Sequence, residues 1–219
     1  VETRFILASR SPRRRQLLGL VVPDGRIVVV PPRDASEAGF ENLHDLGTIE
    51  GRLAEIARAK LEDVSVQVAA SAEFNASRER HVLIAADTTI VATGTDGRLH
   101  VIGQPPEGEG WKQVVRTWFR DYFAGRTHLV LTMLCVRIAR GRTTERLIRS
   151  EVTFIRDVEE HLRWYIESGE PPGKAGGYAI QGAGSIFVEQ VTGSLTNVIG
   201  LPLEALLSAF VELEIDASM

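Results

Sequence analysis

His81-Val82-Leu83-Ile84-Ala85-Ala86-Asp87-Thr88-Thr89-Ile90-Val91-Ala92-Thr93 is the stretch on which the fold turns. Val82 to Ala86 is apolar without a break, which is how a strand covered on both faces reads, whereas a strand with one wet face alternates. Thr89 to Thr93 continues extended as far as the turn at Thr95-Asp96-Gly97. Asp87 is therefore expected where a core strand ends, in the crevice at a sheet's edge that open α/β proteins use for ligands.

Upstream, Phe5 to Ala8 is a second short apolar run, followed directly by Ser9-Arg10-Ser11-Pro12. Ser11 suits a helix N-cap and Pro12 the first helical position, so a strand is predicted to feed a helix through a short polar turn. Ile27 to Val30 reads as a strand ended by Pro31-Pro32. An acidic loop follows. From Ile49, the residues Leu53, Ile56, Ala57, Leu61 and Val64 recur at helical spacing, and Ala69 to Glu79 is expected to be a loose loop.

Downstream, Trp111, Val114, Val115, Trp118, Phe119 and Tyr122 form the apolar stripe of a helix that Gly125 can end. Leu129 to Ile138 and Leu147 to Phe154 flank Gly141 as a long hairpin. Asp157 with Glu160 is a cap signature for a helix running to Gly169. Beyond it, glycine-rich turns are expected to alternate with short strands before Pro202 starts a last helix carrying Leu203, Leu206, Leu207 and Phe210. No repeat or linker interrupts this series, so the expectation is one α/β unit over residues 1–219.

Composition narrows the function. The 219 residues are 44% hydrophobic and 25% charged, which is ordinary for a globular chain. With 25 basic against 29 acidic residues the formal charge is -4, which argues against a nucleic-acid polymer as partner. No apolar run approaches the roughly 20 residues of a membrane-spanning helix. Val1-Glu2-Thr3-Arg4 enters an apolar run at once, without a secretory pattern, and the single Cys135 can form no internal disulfide, so a cytoplasmic protein is expected. There is no Gly-x-x-x-x-Gly-Lys-Ser/Thr loop, no Gly-x-Gly-x-x-Gly and no His-Glu-x-x-His.

Several residues stand out chemically. Ser9, Arg10, Ser11, Arg13, Arg14 and Arg15 gather hydroxyls and cations at a helix start, where phosphate is the natural guest and a solvated basic turn the plainer alternative. Asp87 can hold Mg²⁺ or draw a proton from water, or it can simply bond its own backbone in a turn. Lys60 falls on an apolar helix stripe, where a lysine is unexpected and where, on helix pattern alone, snorkelling along the helix edge is the better explanation. Asp34, Glu37 and Glu41 lie in the acidic loop, and Glu37 is the first choice for a second metal-side carboxylate. In Gly173-Lys174-Ala175-Gly176-Gly177-Tyr178-Ala179-Ile180-Gln181-Gly182, the amide of Gln181 matches the O4 acceptor and N3–H donor of uracil or thymine. Turned over, it would serve cytosine, and it would also satisfy backbone groups between strands.

In combination, Leu7-Ala8-Ser9-Arg10-Ser11-Pro12-Arg13-Arg14, Ala86-Asp87-Thr88, His128 with Thr132, Lys174 to Gly182, and Asn197-Val198-Ile199-Gly200-Leu201-Pro202-Leu203 resemble the Maf family of nucleoside triphosphate pyrophosphatases. The blocks occur in order over nearly the whole chain. The resemblance implies a three-layer, inosine triphosphatase-like α/β fold with a central mixed sheet and a cleft between two lobes, usually as a homodimer. It implies hydrolysis of a nucleoside triphosphate to monophosphate and pyrophosphate with a divalent cation, Mg²⁺ or Mn²⁺. Asp87 matches the family's proton acceptor. Arg13, Thr88 and Gln181 match its specificity positions, and their identities resemble the dTTP/UTP branch. Lys60 and Lys174 match its cations, Ser9 and Arg14 fall in its first block, and Glu37 corresponds to its acidic-loop Glu.

Two positions depart from the pattern. Gly103-Gln104-Pro105 stands where the family usually has Gly-Lys-Pro or Glu-Lys-Pro, which removes a phosphate-facing cation. Gly173 replaces the usual Asp before Lys174. The departure at Gln104 keeps open a nucleotide-binding regulator of cell division or growth that turns over little. A pyrophosphatase for modified pyrimidine nucleotides is the other alternative.

Overall fold

The computed structural model describes residues 2–33, 39–76, 79–108 and 110–217. Its sheet runs through β1 (Thr3–Ala8), β2 (Ile27–Val29), β3 (Arg80–Thr93), β4 (Leu99–Ile102), β5 (Thr127–Ile138), β6 (Thr143–Phe154) and β7 (Val188–Thr192). The strands lie in the order β2-β1-β3-β5-β6-β7, with β4 also paired to β3. β1 is parallel to β2 and β3, and the remaining pairs are antiparallel, so the sheet is mixed.

Helices cover both faces. The alternation of β3 separates Val82, Ile84 and Ala86, which pack with Phe5 and Leu7, from Leu83 and Ala85 on the other face. The first set meets α1 (Pro12–Leu18) and, through Leu206, Ala209 and Phe210, α7 (Leu203–Glu212). The second set meets the apolar stripe of α2 (Leu46–Ala70), where Ile49, Leu53, Ala57, Leu61 and Val64 are buried. A further core lies over the second half of β3. There Ile90 and Ala92 pack with Phe119, Phe123, Phe154, Tyr165 and Phe187. α4 (Trp111–Trp118), which passes into a wide turn over Phe119–Phe123, and α5 (Glu159–Glu167) complete that side.

One departure from the expected layout creates the site. Asp87 does not end a strand, because β3 continues through it for 14 residues in all. What ends is the pairing on one edge. β5 accompanies β3 without interruption from Val82 to Val91. On the opposite edge β1 stops at the Ala8–Ala85 pair and β4 starts only at Ile102–Ile90. Residues 86–89 of β3 therefore border no strand on that side, and the sheet opens there.

Other boundaries also moved. Two short helices, α3 (Ala72–Ala76) and α6 (Leu195–Ile199), occupy stretches read as loop and as turns with strands. Phe74 of α3 packs edge-on against His81, so a tertiary contact orders a segment without helical periodicity. α5 takes no cap from Asp157: it starts at Glu159 after Val158, whose burial beside Leu162 sets the entry. Between α5 and β7 the glycine-rich segment forms single helical turns at Ala175–Gly177 and Ala183–Phe187. Among the described residues no helix is long and apolar enough to cross a membrane.

Candidate active site

The gap in the sheet opens into a cleft of about 770 Å³, lined by Ser9, Arg13, Arg14, Lys60, Asp87, Thr88 and Gln181 among others. At its floor is Asp87. Being odd-numbered, it points to the same face as Leu83 and Ala85, toward α2, where Lys60 forms an ion pair with its Oδ1. Both side chains are largely buried. Lys60 thus reaches a charged partner, which explains a lysine on the edge of an apolar stripe.

Thr88, the next residue, points to the opposite face. Its hydroxyl lies 2.9 Å from that of Thr132 on β5 and accepts from Arg14 Nη2 at 3.0 Å. Arg14 also donates from Nε to the Gly200 carbonyl at 2.8 Å and from Nη1 to Ser9 Oγ at 3.4 Å. One guanidinium thereby ties α1, β3 and the end of α6 around the cleft. Ser11 caps α1 by accepting from the Arg14 N–H, as its sequence position predicts. Arg10 donates to the Pro32 carbonyl and Arg15 to Asp24. Arg13, in contrast, makes no hydrogen bond or ion pair with the described residues, so its charge is available to the cleft.

The glycine-rich segment forms the facing wall. Gly176 has φ 69°, and a Cβ there would lie 2.5 Å from Ile90 Cδ1, so this turn admits only glycine. The tight approach brings Tyr178, Ala179, Ile180 and exposed Gln181 to the cleft. Beneath them, buried His128 and the Tyr178 hydroxyl are hydrogen-bonded at 2.7 Å, and burial pushes the imidazole pKa down to about 3. His128 is therefore a neutral core residue. Lys174 turns its ammonium to the Glu170 carbonyl; burial lowers its pKa, with nearby Arg13 contributing in the same direction. Gln104 lines the cleft as well. Glu37 and Asp34 lie outside the described residues. Cys135 is buried and its thiol pushed up to about 12, so it is unreactive.

Among the described residues no three His, Cys, Asp or Glu side chains come together as a metal-ligating group. Mg²⁺, however, is commonly held by one or two carboxylates, with water and substrate phosphates completing its shell. Asp87 fits that role: its carboxylate meets Lys60 and no other described side chain, and it faces the cleft. Two residues have structural roles that the sequence does not announce. Fully buried Asn197 binds the Val130 carbonyl and Ser150 Oγ, anchoring α6 to the sheet. Glu170 organises the glycine-rich wall, and a lone acid before Pro171-Pro172 gave little signal of it.

The description "Maf-like protein" matches residues 4–213, from β1 through the end of α7. The chain belongs to the Maf-like family. Curated relatives include a dTTP/UTP pyrophosphatase of Anaeromyxobacter dehalogenans (strain 2CP-C), 36% identical, with 91% of this chain and 89% of that protein aligned. The dTTP/UTP pyrophosphatase of Bartonella quintana (strain Toulouse) is also 36% identical, over 92% of this chain and 83% of its own length. That of Thermococcus onnurineus (strain NA1) is 34% identical, over 91% and 92%. In this Maf-like chain the cleft thus lies within the matched region, with Asp87 at its floor.

Proposed function

We propose that the chain hydrolyses nucleoside triphosphates, dTTP and UTP first among them, to the monophosphate and pyrophosphate. The observation that carries this reading is the buried carboxylate of Asp87 on the strand-free edge of β3, facing a cleft bordered by Lys60, Arg13 and Arg14. The names of the relatives point to the same reaction. Asp87 orients a water for in-line attack on the α-phosphorus and takes its proton. Lys60 fixes that carboxylate. Arg13 and Lys174 offset charge on the phosphate oxygens, where electrostatic stabilisation supplies most of the rate gain. Asp87, with Glu37 as second carboxylate, would hold a divalent cation, Mg²⁺ or Mn²⁺, which would supply Lewis-acid stabilisation of the triphosphate.

Base choice is assigned to Arg13, Thr88 and Gln181. Gln181 reads the pyrimidine edge with one donor and one acceptor, and Thr88, locked between Arg14 and Thr132, shapes the wall opposite. Modified pyrimidine nucleotides that keep this edge belong to the same substrate class. A homodimer in the cytoplasm completes the reading.

The deciding experiment is pyrophosphate release from dTTP, UTP, CTP and GTP with Mg²⁺ or Mn²⁺. Turnover of dTTP and UTP that disappears in Asp87→Asn supports the reading. Turnover of none of the four, or turnover that survives in that variant, overturns it.

A further inference from the structure

The segment carrying Lys174 and Gln181 is closed on itself by one side chain. Glu170 Oε2 accepts from the Ala183 N–H at 2.6 Å, and Oε1 accepts from the Gly184 N–H at 3.1 Å. The backbone carbonyl of the same residue accepts from the ammonium of Lys174. The Tyr165 hydroxyl donates to the Gly177 carbonyl at 2.9 Å and lies 3.3 Å from Glu170 Oε1, joining the middle of the segment to this junction. A Cβ at Gly182 would fall 2.5 Å from the Glu170 carboxylate, so the backbone next to Gln181 rests directly on that carboxylate. Residues 170 to 184 thus form a lariat whose knot is a carboxylate and whose free arc faces the cleft.

We infer that Glu170 is a positioning residue for base recognition, an anionic knot that fixes the backbone beneath Gln181 and, through its carbonyl, the direction of Lys174. It touches no lining side chain of the base-reading set and acts through the loop it closes. Hydrogen bonds from backbone N–H groups to a carboxylate are among the stronger ones, and two converging on one group define an orientation as well as a distance. An amide in its place has one acceptor oxygen, so its NH₂ would confront one of the two N–H groups. This inference rests on the proposed reading of Gln181 as the base contact.

The test combines amide hydrogen exchange with a double-mutant cycle. In Glu170→Gln the Ala183 and Gly184 amides are expected to lose protection while amides of β3 and β5 keep theirs. The preference for dTTP and UTP over CTP and GTP should fall about tenfold, the size expected for losing a hydrogen bond to a charged group. In a Gln181→Ala background the same substitution should change the preference no further. Unchanged protection in Glu170→Gln, or an equal extra loss of preference in the Gln181→Ala background, overturns the inference. Wild-type preference in Gln181→Ala would instead overturn the reading of Gln181, and the exchange data would still report whether the knot exists. Should Glu170→Gln fail to fold, Glu170→Asp keeps the charge with a shorter reach. It is expected to lose protection at one of the two amides and to show an intermediate preference; full protection with full preference would overturn the inference.

Discussion

Lys60 and Asp87, on a helix and a strand, form an ion pair at the floor of the cleft with side-chain exposures of 14% and 7%. Two charges so largely buried stabilise each other as a pair, and removing one leaves the other without its partner. Lys60→Met is accordingly expected to destabilise the fold by about 3 kcal/mol. Adding Asp87→Asn to it should recover part of that loss, measured by denaturant unfolding. Equal stability of Lys60→Met and wild type would mean that water solvates Asp87 from the cleft.

Asp87→Asn alone keeps the shape but offers neither a proton acceptor nor an anionic ligand. Pyrophosphate release should fall at least about a hundredfold with circular dichroism unchanged. Near-wild-type release would remove Asp87 from the chemistry.

Gln104→Lys places a cation on the cleft wall where the family usually carries one. Higher kcat or lower KM for the triphosphate is the expected outcome, read from initial rates over a range of dTTP concentrations. If neither constant changes, another cation already fills that role.

How much of this was legible in the chain depends on the range of the interaction. Ser11-Pro12 announced its helix because a cap is a contact within one turn, and the stripe from Ile49 to Val64 announced α2 by period alone. The placing of Asp87 was half right. Its place in a crevice follows from the apolar run before it, but the continuation of β3 beyond it depends on β5, where its partner Met133 lies 46 residues further along the chain. Asp157 misled as a cap because burial of Val158 outweighs a single side-chain bond. Glu170 was silent because its partners are backbone N–H groups, which no residue type reports.

Gln181→Glu replaces a donor-acceptor amide with a group that only accepts, set against O4 of uracil or thymine. Leaving a polar group unmatched once the bound base covers it costs roughly 1–3 kcal/mol, so kcat/KM for dTTP and UTP should drop about ten- to a hundredfold. GTP, with donors at N1 and N2 of its base, should lose less or gain. An equal proportional loss on dTTP, UTP, CTP and GTP would show that Gln181 supports the fold or the phosphates instead.

His128 makes stability depend on pH. Its folded pKa of about 3 lies below the ordinary value of 6.5, because burial disfavours the imidazolium. The unfolded chain therefore binds the extra proton first as pH falls, so stability is full above about 6.5 and declines toward 3, by up to about 1.4 kcal/mol per pH unit. Between pH 6.5 and 5 this decline should be visible in denaturant midpoints and shallower in His128→Gln, which keeps a partner for the Tyr178 hydroxyl. His81, also lowered by burial, adds to the slope in the same direction. Parallel curves for the two proteins would exclude His128 as the source.

The uninterrupted ladder between β3 and β5 sets the mechanics of the cleft. At its floor one pair of strands runs on past the opening, hydrogen-bonded from Val82–Ile138 to Val91–Leu129. A jaw-like closure that bent the sheet at this point would have to deform that ladder, which its hydrogen bonds oppose. A ligand entering such a rigid slot need not supply free energy to draw the walls together, and its affinity reflects the fit it finds. Accommodation of one base over another then falls to the glycine-rich arc between α5 and β7, which is no part of this ladder and can adjust without disturbing it.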